Sequence, residues 1–152
     1  MLLCLGLCAG VTAGAGTRED TLQRVVDDLR ERLGISAAVT VSIVERDPRL
    51  VSIRRDAADG RTFSLTVQRD FVEGLGGAQL EAALAHELGH VWIYTHHPYL
   101  QTEELANRVA MRVVAREQLI EVYRGVWGAD ALHGGLAAFL GIEEAGARPA
   151  QR

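Results

Sequence analysis

The chain has 152 residues, the length of one ordinary domain, and its 48% apolar and 24% charged side chains exclude a disordered tail. Its formal net charge is −4 with no basic run, so nothing clusters the Lys and Arg that phosphate neutralisation requires, and nucleic acid is not an expected partner.

Residues 1–16, MLLCLGLCAGVTAGAG, carry no charged side chain. An apolar core from Leu2 to Val11 leads to Ala13-Gly14-Ala15, the small-x-small form of a signal-peptidase site. A cleaved signal peptide and export are the expectation, although Met1 runs straight into leucine without the usual basic opening. The segment is too short to span a bilayer, which takes about 20 apolar residues, so no stable membrane span is expected. Cys4 and Cys8 would leave with the signal, and no disulfide framework is predicted. Leu7 stands where a lipoprotein site before Cys8 would want a small residue.

Residues 17–33 predict an amphipathic helix with Leu22, Val25, Val26, Leu29 and Leu33 on one face. Thr17 and Asp20 can cap its start, and Gly34 sits where helices stop. Three segments with period-two alternation follow: Val39/Val41/Ile43, Val51/Ile53 and Phe63/Leu65/Val67. Their connectors, Asp47-Pro48 and residues 56–60, are rich in turn formers, and the expectation is a three-stranded antiparallel meander with one apolar face. Phe71 to Leu75 is a further short apolar stretch ending among Gly74, Gly76 and Gly77. These glycines lack a following Lys-Ser/Thr, so they read as a chain break before a helix and not as a phosphate loop.

That helix is predicted over 78–94, with Leu80, Leu84, Leu88 and Val91 as its core stripe. After the loop Thr95-His96-His97-Pro98, another is predicted over 102–122, burying Ala106, Val109, Ala110, Val113 and Ile120. A short C-terminal helix over 131–140 and a frayed tail over 143–152 complete an α+β domain spanning 17–142.

Inside the first of these two helices stands His86-Glu87-Leu88-Gly89-His90, a match to H-E-x-x-H. Four residues at about 100° each return the second imidazole to within about 40° of the first, one turn along. Two neutral imidazoles so placed can reach one Zn²⁺ at about 2.0–2.1 Å, while Glu87 lies beside the pair as a base for a metal-bound water. The apolar flanks make the helix interior, where two imidazoles and a carboxylate without a partner would be costly. The expected cofactor is a single zinc ion, and the expected chemistry is hydrolysis of peptide or protein substrates.

A catalytic zinc needs a third protein ligand, and two spacings offer one. His96 completes H-E-x-x-H-x5-H, the metzincin spacing, but Ile93 occupies the position where that pattern needs a permissive glycine. Met111 lies inside a helical pattern and not in a Met-turn. The alternative is Glu103 on the next helix, with Asn107 four residues on and Glu104 turned about 100° away as a solvated helix-start carboxylate.

This second arrangement resembles the gluzincin zinc peptidases, in which H-E-x-x-H is followed by a ligand Glu and, four residues later, an Asp or Asn. Glu103-Glu104-Leu105-Ala106-Asn107, with Val109-Ala110 after it, is also similar to the E-x-x-A-N/D-x-x-A helix of ImmA/IrrE-like and HtpX-like proteins. The twelve-residue spacer from His90 to Glu103 is short and resembles the compact minigluzincins. The resemblance covers about residues 63–114 and implies His86, His90 and Glu103 as metal ligands and Glu87 as catalytic base. Asn107 could accept the free N–H of a ligating imidazole, orienting it without adding charge. Tyr94, Tyr99, Tyr123, His97 and His133 could each donate to an oxyanion, and the resemblance favours Tyr123 or His133. By the same analogy the strand over 61–67 would rim the cleft and take an extended substrate as a further strand. A zinc-binding regulatory or interaction module of the same fold, without catalysis, is the competing expectation.

Overall fold

A computed structural model describes residues 17–56 and 61–127, as α1 (Arg18–Arg32), β1 (Ala38–Val44), β2 (Val51–Arg55), β3 (Thr62–Gln68), α2 (Arg69–Gly74), α3 (Gly77–His96), α4 (Glu103–Ala110) and α5 (Arg116–Trp127). The expected signal segment, the expected helix over 131–140 and His133 lie outside the described residues.

α1 starts where the cap predicts. The Asp20 N–H donates to Thr17 Oγ1 at 3.1 Å and the Thr17 N–H donates to Asp20 Oδ2 at 2.7 Å, which satisfies two of the helix's orphan donors. It ends at Gly34, whose φ of 69° is the left-handed conformation that glycine adopts without penalty. Leu22, Val26 and Leu29 are buried against the sheet and α3.

The sheet corrects the expected meander. Its order is β1-β3-β2, with β1 parallel to β3 and β2 antiparallel to it. Alternation assigns a face to each residue and says nothing of strand order. The faces themselves are as expected: Val39, Val41 and Ile43 register with Phe63, Leu65 and Val67, and Val51 and Ile53 register with Val67 and Leu65. The opposite face carries Thr40, Ser42, Ser52, Ser64 and Thr66.

Residues 45–50 cross the end of β3, about 10 Å for two strand spacings, and so leave its central place open. Asp47 holds this crossing: its carboxylate accepts from Ser52 Oγ at 2.6 Å, Thr66 Oγ1 at 2.8 Å and the Arg49 N–H at 2.8 Å. Burial works against the Asp47 charge, but these three bonds and Arg54 together lower its pKa.

Because β3 is central, both its edges are already paired, and it cannot be the cleft rim expected from analogy. The outer edge of β1 is covered by α1: Gln23 Nε2 donates to Val39 O at 2.8 Å, Gln23 Oε1 accepts from Val41 N at 2.9 Å, and Glu19 Oε1 accepts from Ile43 N at 2.8 Å. Among the described residues β2 is the other end strand of the sheet. Leu50 and Asp56 bond across to β3, through Gln68 N to Leu50 O and Asp56 N to Thr62 O. The antiparallel alternation therefore turns the N–H and C=O of Val51, Ile53 and Arg55 away from β3.

α3 is apolar nearly all round, as an interior helix must be, with Leu84, Leu88, Val91 and Ile93 buried between the sheet and the later helices. The single helix expected over 102–122 is two. α4 ends at Ala110, residues 111–115 form a turn, and α5 starts afresh at Arg116. Neither glycine nor proline marks this break. What shows it is a phase change in the buried stripe, from Ala106, Val109 and Ala110 to Leu119, Val122 and Tyr123. No helix among the described residues is long and apolar enough to cross a membrane.

Candidate metal centre

His86, His90 and Glu103 converge. Glu103 Oε2 lies 3.1 Å from His86 Nε2 and 3.3 Å from His90 Nε2, and one ligand atom from each of the three falls within 4.8 Å of the others. One turn of α3 supplies the two rings, 4.9 Å apart between centroids. α4 supplies the carboxylate at its first residue, after Thr102 caps the helix by accepting from the Leu105 N–H at 3.1 Å. Glu104 points elsewhere, to an exposed ion pair with Arg108 at 2.6 Å.

The far nitrogens of both rings are held. His86 Nδ1 donates to Asn107 Oδ1 at 2.8 Å, and His90 Nδ1 donates to Gln101 Oε1 at 3.3 Å. Gln101 is fixed in turn by donating from Nε2 to the His90 carbonyl at 3.2 Å. With Nδ1 carrying the proton, each neutral ring presents its Nε2 lone pair to the Glu103 carboxylate. Two lone pairs facing one anionic oxygen at these distances need either a shared cation or protonated rings. The donor set therefore fits a divalent cation. Without one, the burden falls on the titrating groups. The His86 and His90 hydrogen bonds hold Glu103 well below the usual carboxylate range. Burial would lower the His90 pKa, but Glu103, with Glu87 and Gln101, raises it.

α4 can approach this closely because of Gly89, inside the motif itself. A Cβ built there would lie 2.4 Å from the Ala106 carbonyl oxygen and 2.9 Å from Ala106 Cα. The H-E-x-x-H spacing carries no hint of this contact, which exists only once α4 has folded back.

Tyr123 is buried, and its hydroxyl donates to Asn107 Oδ1 at 3.0 Å and lies 3.1 Å from His86 Nδ1. Burial raises its pKa; the Asn107 bond works against this, and Glu103 and Glu87 add to it. On one unbroken helix, residues 107 and 123 would face about 160° apart. The turn over 111–115 brings them onto the same ring nitrogen. Of the other donors considered, Tyr94 lines the cavity described below, Tyr99 is 97% exposed, and His97 caps the end of α3.

His96 takes no part in this cluster. α3 continues through buried Ile93 without the turn a metzincin needs, and the His96 ring stacks on Trp92 at 4.3 Å while Nδ1 donates to the Trp92 carbonyl at 2.8 Å.

The cluster opens into a cavity of about 750 Å³, whose wall runs from β2 across α3 to α5. Glu87 lines it beside the two histidines without joining the three converging ligands, and burial raises its pKa. Comparison of the chain with protein-family models, curated proteins and solved structures finds no match.

Proposed function

We propose that the protein is a zinc-dependent peptidase of gluzincin type. The observation that carries the reading is the convergence of two Nε2 lone pairs and the Glu103 carboxylate in a cavity that also holds Glu87. His86, His90 and Glu103 would hold the ion. Bound there, zinc supplies Lewis acidity, making water a better nucleophile and a carbonyl a better electrophile. Glu87 takes the proton of the water whose oxygen adds to the scissile carbonyl carbon. It then gives that proton to the nitrogen as the C–N bond breaks, so one water is consumed and a carboxylate and an amine leave. The extended substrate lies along β2, bonding to the N–H and C=O groups of Val51 and Ile53, which point away from β3. Residues 1–16, leader-like in composition, make this an exported peptidase in the same reading.

Metal analysis of single variants tests the ligand set. Glu103→Ala should fall well below one zinc per chain, as should His86→Ala and His90→Ala, while His96→Ala stays loaded. Zinc retained in Glu103→Ala and lost in His96→Ala would replace this reading with the metzincin spacing.

Tyr123 serves His86 on the side of the ring away from Glu103, so its role in this reading is to hold the ring, together with Asn107. Outer partners of this kind are worth about 10–100-fold in metal affinity. Tyr123→Phe removes only the hydroxyl and should weaken zinc binding within that range in competition with a chromogenic chelator. An unchanged affinity combined with lost cleavage would instead make the hydroxyl a donor to the oxyanion.

A further inference from the structure

Leu50 sits in a backbone conformation that its side chain does not favour. Its φ is 67°, and among the described residues it is the only non-glycine with a positive φ. A Cβ crowds the following carbonyl oxygen there, which glycine avoids and asparagine offsets with local hydrogen bonds. The surrounding turn explains the angle but not the residue. The Leu50 N–H donates to the Asp47 carbonyl at 3.0 Å, and the Gln68 N–H donates to the Leu50 carbonyl at 2.8 Å. Position 50 therefore closes the crossing turn and leads into the pairing of β2 with β3. Asp47 and Pro48 are residues that such a turn prefers in its first two places, and in its fourth it prefers glycine. Leucine stands there instead.

The core of the described residues does not account for it either. The Leu50 side chain is half-buried and is not among the apolar side chains that form or pack on that core, whereas its neighbour Val51 is. It lines the cavity that opens from the metal cluster. Strain of this kind persists where the surroundings over-determine it, and it gathers at active sites and ligand clamps. Here the Asp47 carboxylate does so, through the bonds from Ser52, Thr66 and Arg49 that hold the crossing.

Building on the peptidase reading, we propose that Leu50 is a specificity-determining residue, held in the cavity wall to meet an apolar side chain of the bound peptide. It directly precedes β2, so a peptide lying along β2 meets it near one end of that strand. The selection falls on one residue of the substrate, a large apolar one such as Leu or Phe, and not on the peptide as a whole.

Stability and binding should then move apart, which separates this role from a structural one. Leu50→Gly and Leu50→Asn both suit a left-handed residue, so each should keep its zinc and melt at or above the wild-type midpoint. Where the freer unfolded chain of Leu50→Gly cancels the gain, Leu50→Asn decides. Binding is read on zinc-loaded Glu87→Gln protein with fluorescent octapeptide pools, polar except for a single Leu in one set and a Gln in its place in the other. The Leu pool should bind more tightly than the Gln pool. Adding Leu50→Asn should shrink that margin about tenfold, the low end of what an apolar contact in a pocket contributes, and leave the affinity for the Gln pool unchanged. No saturable binding of the Leu pool, or a margin that Leu50→Asn leaves intact, would overturn the proposal. So would a midpoint lowered in both Leu50→Gly and Leu50→Asn, since Leu50 would then be a support of the crossing turn. Wild type and Leu50→Asn that each cleave Leu and Gln peptides equally well would remove this selection and leave the peptidase reading standing. Wild type that cleaves neither, while the binding margin in Glu87→Gln depends on Leu50, would do the reverse.

Discussion

Glu87→Gln should keep about one zinc per chain and lose peptide cleavage by about 10²–10⁴-fold, the range that a positioned proton carrier contributes. The expectation follows from where Glu87 stands. It lines the same cavity as His86 and His90, yet the three ligand atoms converge without it. Glutamine keeps its size and hydrogen bonding but cannot carry the proton from water to the leaving nitrogen. Burial disfavours the Glu87 charge, so neutral glutamine should leave thermal stability equal to wild type or slightly above it. Zinc content, a melting curve and kcat/KM on a quenched peptide library check all three. If wild type and Glu87→Gln both bind zinc and both leave every peptide intact, the site is a regulatory or binding centre. If both cleave at the same rate, another group is the base.

How much of this site could be read in advance depends on how local each contact is. His86 and His90 are one helical turn apart, so their meeting on one face follows from helix geometry once the apolar stripe of α3 is recognised. Glu103 lies on another helix, and the spacing alone left His96 open as its rival. The geometry of α3 now removes His96, because the helix runs straight through Ile93. Gln101 gave no signal, being a single amide in a loop whose partner is fixed only when α4 docks. The resemblance points to Tyr123 as a donor to an oxyanion, and its meeting with Asn107 and His86 stays hidden as long as 102–122 reads as one helix. The sheet shows the same limit. Alternation placed Val39, Phe63 and Val51 on one face, whereas strand order was decided by a six-residue crossing pinned by Asp47 and by α1 covering the edge of β1. That order pairs β3 on both edges and makes β2 an end strand among the described residues, so in the proposed reading the strand for a substrate is β2 and not β3.

Gly89→Ala should lower both stability and zinc content, although the same exchange in an ordinary helix interior raises stability by about 0.5–1 kcal/mol. The new Cβ would sit 2.4 Å from the Ala106 carbonyl oxygen, and backbone cannot give way as a flexible side chain does. Ala106 is itself fully buried between Asn107 and Leu105, so relief must come from moving α4 away from α3. Overpacking of this kind costs about 1–3 kcal/mol, which exceeds the helix-propensity gain and sets the sign. The displacement also carries Glu103 and Asn107 with it, since both ride on α4 within one turn of Ala106. Zinc affinity should therefore fall by more than the loss of stability accounts for. Gly125→Ala is the matched control: it lies exposed in α5 with nothing within 4 Å of its added Cβ, so it should stabilise slightly and leave zinc content unchanged. Melting curves with and without chelator separate the two effects. In wild type the chelator should lower the midpoint, because an ion that binds only the folded chain stabilises it. In Gly89→Ala the midpoint should already be low and hardly respond. A Gly89→Ala protein that melts at or above wild type with a full complement of zinc would mean that α4 does not depend on this close approach to place Glu103.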